Sequence, residues 1–321
     1  MKRIATSLLV TTLALAAHDG LAQPYPAKPI RIVMPFSTGG TDLVTRWLAL
    51  KLAPALGQQI VPEPRTGAGG NIGHELVAKA APDGYTLLMA APPFVVNPTL
   101  YGKVPYDPFR DFSPIMLCAA IPTLLVSHPS VPAKTLKELV DIARRSPNKL
   151  SYASGGIGST PHLSGELLKS LTKTQIVHVP YKGGALGLVG AMSGEVDIVF
   201  TTMSAAAASY VNEGKMRGLA ILDKKRVVSI DKVPTSAEAG LPQLIAINWY
   251  ILLAPAGTPR EAIDRMNAEA AKIMQLAETR ERFLAVGGEP STATPEQTAE
   301  FLRAEFARWS KVVKDAAIRA E

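Results

Sequence analysis

Short apolar segments alternate with amphipathic ones along most of this chain. Residues 30–34 form an apolar run of strand length that Pro35 ends, and residues 43–52 then carry apolar side chains at helical spacing. This order predicts an α/β fold with parallel sheets covered by helices. Beyond Pro255 the pattern is helical, and residues 91–114, rich in Pro and aromatics, are predicted to be irregular with short helices. Further strands are predicted at residues 59–61, 85–90, 124–127, 150–153, 176–179, 196–200, 219–222 and 248–253.

The first 22 residues have the pattern of a secretory signal peptide. Lys2 and Arg3 precede an apolar stretch over residues 4–17, and Gly20 and Ala22 give a small-x-small cleavage site. The apolar stretch is short for a membrane span, which needs about 20 residues. We therefore expect residues 1–22 to be removed on export to the periplasm.

Composition limits the class of protein. The chain has 321 residues, 47% hydrophobic and 19% charged, which suits one large domain or two lobes and argues against disorder. The formal charge is +7, but the basic residues are scattered and only 6% of residues are aromatic, so no nucleic-acid partner is expected. Cys118 is the single cysteine, which excludes an intrachain disulfide, and its apolar surroundings predict a core position.

Two Gly/Ser/Thr-rich turns, over residues 35–42 and 154–162, lead from predicted strands into predicted helices. A helix N-terminus has unpaired N–H groups and the positive end of the helix dipole, and glycines let an anion approach that backbone. Two such turns in two lobes predict a clamp for a small carboxylate; the alternative is helix capping alone. The candidate ligand-binding residues are Phe36, Ser37, Thr38, Gly39, Gly40, Thr41 and Asp42 in the first turn, and Ser154, Gly155, Gly158, Ser159 and Thr160 in the second.

Four further candidates follow other predicted strands or begin a helix. Lys182 lies in a third turn, and Thr201 and Thr202 end a strand of the same lobe. Ligands of open α/β sheets bind at the carboxyl ends of strands, where all these turns are expected. Lys182 is an anion contact or a solvated surface residue, and His162 is a ligand contact or a structural hydrogen-bonder at a helix start.

Other chemistries lack the residues they require. The glycine loop at residues 67–73 imitates a dinucleotide motif, but no acidic residue for a ribose stands about 20 positions on. Ala78 stands where a zinc-binding helix beginning His74-Glu75 would need its second His. No G-x-S-x-G motif is found. We therefore expect no cofactor, no metal and no catalytic residues.

The chain resembles the periplasmic solute-binding proteins of tripartite tricarboxylate transporters, the Bug-type receptors, over nearly all of the mature sequence. The resemblance is carried by residues 25–31, Pro35-Phe36 with Gly39-Gly40 and Asp42, residues 67–73, 81–87, 97–101, 179–183, 194–197, 233–240 and 253–259. The order of these motifs is specific to the family, although each one alone is weak.

The resemblance implies a hinged, two-lobed periplasmic-binding-protein fold of type II-like topology, with a helix-covered sheet in each lobe. Crossing strands are expected near residues 122–127 and 246–252, so that one lobe contains residues 23–123 and 246–321 and the other residues 124–245. It further implies a monomeric receptor, without enzymatic activity, for a di- or tricarboxylate or an aromatic acid. In such receptors backbone N–H groups, hydroxyls and waters hold the carboxylate.

A membrane permease of a tripartite tricarboxylate transporter is the implied partner of this receptor. A receptor that serves a sensor protein is an alternative, and an exported α/β enzyme is a weaker one.

Three positions depart from the family pattern. One residue, Thr41, separates the glycine pair from Asp42, where two are common. Thr201 and Thr202 stand where an Asp is often found, which removes a negative charge from the expected site. Ile251 replaces a frequent Gly and is predicted to narrow the cleft.

Overall fold

Helices and strands alternate along residues 25–37 and 39–319, the part of the chain that the computed structural model describes. The predicted signal peptide at residues 1–22 lies outside this part. The strands are β1 (Ile30–Met34), β2 (Ile60–Pro64), β3 (Thr86–Ala90), β4 (Phe112–Ser127), β5 (Ser151–Ser154), β6 (Val177–Pro180), β7 (Ile198–Thr202), β8 (Arg217–Ile221), β9 (Ile247–Pro255) and β10 (Glu289–Pro290). The α-helices are α1 (Gly40–Leu56), α2 (Asn71–Ala78), α3 (Pro93–Leu100), α4 (Leu136–Arg145), α5 (Thr160–Thr172), α6 (Gly184–Met192), α7 (Ala205–Asn212), α8 (Arg260–Gln275), α9 (Ala277–Leu284) and α10 (Pro295–Asp315).

The strands form two lobes that share β4. In the first lobe the order is β2-β1-β3-β9-β4, and in the second it is β4-β7-β5-β6, with β8 also paired to β4. The strands of the βα units pair in parallel, β1 with β2 and β3, and β5 with β6 and β7. This confirms the predicted α/β class and the helix-covered sheets. The antiparallel pairs all involve β4 or β9.

The two crossing strands, β4 and β9, join the lobes. Residues 112–122 of β4 pair with β9, and residues 123–127 pair with β7. The strand predicted at residues 124–127 is therefore only the end of a 16-residue strand. The first part of β4 was not predicted, because Pro114 and Pro122 lie in it and proline lacks the N–H that strand pairing requires. Here Pro114 lies where the register shifts, a position that tolerates proline.

Buried side chains fill the space between the sheets and their helices. Trp249 of β9 and Trp309 of α10 are fully buried, and both indole N–H groups donate to the Glu305 carboxylate, at 2.9 and 3.0 Å. The last helix, α10, therefore packs into the core through Trp309. The prediction that all residues beyond Pro255 are helical was wrong at β10, which pairs with Ala119 and Ala120 of β4.

Two smaller observations complete the fold. Cys118 is fully buried, as predicted, and burial raises the pKa of its thiol to about 12. Within residues 25–37 and 39–319, no helix combines the length and the apolar character that crossing a membrane requires.

Candidate functional site

A cavity of about 310 Å³ lies between the lobes. Its walls come from both lobes and from crossing strand β9. None of the described residues that line it carries a charged side chain. The lining is Phe36, Gly39, Gly40, Thr41, Ala91, Pro92 and Pro93 from the first lobe; Gly155, Ser159, Thr160, Pro161, Gly183, Gly184, Ala185, Leu188, Val189, Thr201, Thr202, Ser204, Ala206 and Tyr210 from the second; and Asn248 and Tyr250 from β9.

Four helices, α1, α5, α6 and α7, begin at this cavity, one from the first lobe and three from the second. The first N–H groups of a helix have no partner within the helix, and its N-terminus carries a partial positive charge. No side chain of the described residues caps α1 or α6, whereas Ser159 caps α5 and Ser204 caps α7. The cavity thus offers backbone donors and positive potential from both sides, an arrangement suited to an anion.

A fifth helix, α3, also begins at the cavity but has a different character. Pro92 and Pro93 form its start, and proline has no N–H to donate. Together with Ala91 and Phe36 they make this part of the first lobe apolar. The second lobe adds Leu188 and Val189, so the cavity can also hold methylene groups or a ring.

Glycines in the second lobe bring two polar groups close together, the Gly184 N–H and the Thr201 hydroxyl. A Cβ on Gly155 would lie 3.1 Å from the Gly184 N, and one on Gly184 would lie 3.6 Å from Thr201 Oγ1. Side chains at these positions would fill the space in front of the α6 N-terminus. Their absence leaves the N–H groups of α6 and the Thr201 hydroxyl accessible from the cavity.

The hydroxyl of Thr160 forms no hydrogen bond with any of the described residues. The residue is 2% exposed, lines the cavity at the first turn of α5, and its Oγ1 has no hydrogen-bond partner among them. A buried hydroxyl without a partner costs about 1–3 kcal/mol. A ligand oxygen would provide the missing partner once binding opens this solvent-inaccessible atom to the cavity.

His162 stabilises the turn over residues 154–162 by a hydrogen bond on the side away from the cavity. Its Nδ1 accepts the Gly158 N–H at 3.2 Å, and its ring lies 4.3 Å from that of His178, between centroids. His178 Nε2 in turn contacts Ser154 Oγ at 2.7 Å. Burial lowers the pKa of His162 to about 4 and that of His178 to about 3, so both rings are neutral at pH 7. His162 and Ser154 thus fix the turn and do not line the cavity.

The structure brings nine of the sixteen candidate residues to the cavity: Phe36, Gly39, Gly40, Thr41, Gly155, Ser159, Thr160, Thr201 and Thr202. Thr38 lies outside the described residues. The other six, Ser37, Asp42, Ser154, Gly158, His162 and Lys182, do not line it.

Each of the outlying polar residues has another environment. Asp42 pairs with Arg46 one turn along α1, at 2.6 Å between Oδ1 and Nε, and Lys182 and Ser37 are exposed. Gly158 faces Leu100 and Asn97 of α3, since a Cβ there would lie 3.0 Å from Leu100 Cδ2.

Sequence reasoning missed the contribution of β9. Asn248 and Tyr250 line the cavity, while Trp249 and Ile251 alternate with them and are fully buried. Ile251 therefore does not narrow the cleft, and that prediction was wrong. The two-residue alternation of a strand was the available signal for Asn248 and Tyr250.

Comparisons with known proteins give one consistent group. A sequence model described as "Tripartite tricarboxylate transporter family receptor" matches residues 44–318. Protein BugT of Bordetella pertussis is 36% identical over 318 residues, which cover 97% of each chain. Among solved structures, an R. palustris protein with adipate is 35% identical with a TM-score of 0.86, over 92% of this chain and 99% of that one. MatC from Rhodopseudomonas palustris, with bound malate, is 32% identical with a TM-score of 0.82, over 90% and 100%.

Proposed function

We propose that this chain, which belongs to the tripartite tricarboxylate transporter receptor family, captures a small carboxylate in the cavity between its lobes. The family consists of periplasmic substrate-binding receptors, and the chain is accordingly a solute-binding receptor and not an enzyme. The observation that carries the proposal is the meeting of uncapped or partly capped helix N-termini from both lobes at one cavity.

The absence of charged side chains from the described lining supports a carboxylate bound through N–H groups and hydroxyls. Without a cationic side chain, the helix N-termini are the source of positive potential. With no acidic residue in that lining, an ammonium group would lose its hydration without gaining an anionic partner. The site therefore favours a carboxylate that carries no positive group.

A dicarboxylate fits the division of donors between the lobes. One carboxylate would bind at α1 and the other at α5 and α6, with the chain between them against Leu188 and Val189. Two relatives whose structures contain adipate and malate support this class of ligand. An aromatic acid is the other member of the class, since the same apolar wall would take a ring. Closure of the lobes on such a ligand follows from contacts that form only when both lobes touch it.

Residues 23–123 with 246–321 form one lobe and residues 124–245 the other. The nine candidate residues that line the cavity contact the ligand, and Ser154 and His162 hold the turn that precedes α5. The protein is exported with cleavage near Ala22, works as a monomer, and delivers its ligand to a membrane permease of the tripartite tricarboxylate type.

Thermal unfolding with a panel of acids tests this function. A ligand at 100 times its Kd adds about 2.7 kcal/mol to stability. Adipate, malate, succinate and benzoate are each compared with the matching neutral amide. The proposal expects at least one acid to raise Tm while its amide does not. If no acid raises Tm at millimolar concentration, the assignment of a carboxylate ligand is wrong.

A further inference from the structure

Tyr250, on crossing strand β9, contributes a polar side chain to the wall of the cavity. It is 3% exposed, and it lines the cavity from β9. Its ring packs directly against the first turn of α1, because a methyl group at position 40 would overlap the Tyr250 hydroxyl. Gly40 therefore leaves room for the phenol beside N–H groups that no described side chain caps.

Tyr250 also meets the second lobe at this cavity. Thr202, at the end of β7, lines the same cavity and is paired with Thr123 of β4. The Tyr250 hydroxyl is thus at the place where the α1 N-terminus of one lobe meets a strand end of the other. An anion bound here would contact both lobes at once.

We propose that the Tyr250 hydroxyl donates a hydrogen bond to the ligand carboxylate at the first turn of α1, and that Tyr250 is a ligand-binding residue of the receptor. This inference rests on the proposed function. A carboxylate only accepts hydrogen bonds, so the hydroxyl must be the donor, while Thr202 can accept or donate. Burial raises the pKa of Tyr250 above its usual value, which keeps the proton in place at neutral pH.

Removal of this hydroxyl tests its hydrogen bond to the ligand separately from the stability of the fold. Tyr250→Phe keeps the ring against Gly40 and removes only the donor. Tyr106→Phe is the matched control, because Tyr106 is also buried and its hydroxyl donates to the Phe94 carbonyl at 2.9 Å, away from the cavity. Hydrogen bonds to charged groups contribute enough that their loss weakens binding about 10- to 100-fold.

The experiment is calorimetric titration of the full-length mature protein and both variants with adipate and malate, at pH 7.5. The expected result is a Kd for Tyr250→Phe at least tenfold higher than that of the unmodified protein, with Tyr106→Phe unchanged. Equal Kd values for Tyr250→Phe and the unmodified protein would overturn the inference and leave the proposed function standing. Failure of the unmodified protein to bind either acid would overturn both.

Discussion

The Thr160 hydroxyl gives a prediction in which stability and binding change in opposite directions. Thr160→Val replaces the hydroxyl with a methyl group of nearly the same size. In the free protein the buried Oγ1 has no partner among the described residues, so its removal should stabilise the fold by about 1 kcal/mol. Threonine and valine have similar helix propensities, so the first turn of α5 should remain intact.

In the bound protein the same hydroxyl is expected to donate to the ligand carboxylate. A hydrogen bond to a charged acceptor contributes about 1.5–3 kcal/mol, so its loss should raise the Kd about 10- to 100-fold. The assays are urea unfolding without ligand and calorimetric titration with the carboxylate that raises Tm most. The stabilisation corresponds to a rise of about 2 °C in Tm.

Thr172, at the other end of the same helix, provides the control. It is also buried, but its hydroxyl donates to the Leu168 carbonyl at 2.7 Å and contacts Thr174 Oγ1 at 2.8 Å. Thr172→Val should therefore lower stability by about 1 kcal/mol and leave Kd unchanged. The reasoning fails if Thr160→Val behaves like Thr172→Val, with lower stability and unchanged binding.

Three other perturbations follow from the site and its support. Gly155→Ala should raise Kd about tenfold and also lower Tm, because its Cβ would lie 3.1 Å from the backbone N of Gly184; equal titration curves would contradict this. Gly158→Ala would place a Cβ 3.0 Å from Leu100 Cδ2 of the other lobe, at a φ of 78°. Gly102→Ala is the control, because it has a similar φ of 72° but no atom within 4 Å of its Cβ. In thermal melts Gly158→Ala should lower stability by about 1 kcal/mol more than Gly102→Ala does, and equal losses of stability would contradict the contact. Burial lowers the pKa of His74 to about 3 and that of His162 to about 4, so the unfolded state binds more protons than the folded state between pH 6.5 and 4. Each histidine should therefore lower stability by about 1.4 kcal/mol per pH unit as the pH falls through this window. A free energy of unfolding in urea that stays constant over the window would contradict the burial of both rings.

Local signals in the sequence were sufficient for much of the fold. The strands predicted at residues 30–34 and 150–153 lie at β1 and β5, and the glycine turns after them lead into helices α1 and α5. Both signals depend on neighbouring residues only. The first part of β4 was missed because Pro114 and Pro122 indicate breaks, whereas a shift of register and a change of partner strand accommodate them.

The site was predictable to the extent that its donors are local features. Gly39, Gly40, Gly155 and Thr160 reach the cavity because they lie where a strand end leads into a helix start. Lys182 carried the right charge for an anion but is exposed outside the lining. Alternation along β9 separates Tyr250 from its buried neighbours, but which face of the strand meets the cavity depends on how distant strands pair. The position of the α3 prolines depends on the same long-range pairing.

A crystal structure of the protein with its best-binding dicarboxylate tests the central claim most directly. The account predicts one carboxylate within hydrogen-bonding distance of the N–H groups that begin α1. The second carboxylate should contact the Thr160 hydroxyl or the N–H groups that begin α6. A ligand bound through lysine or arginine side chains outside the cavity would contradict the account.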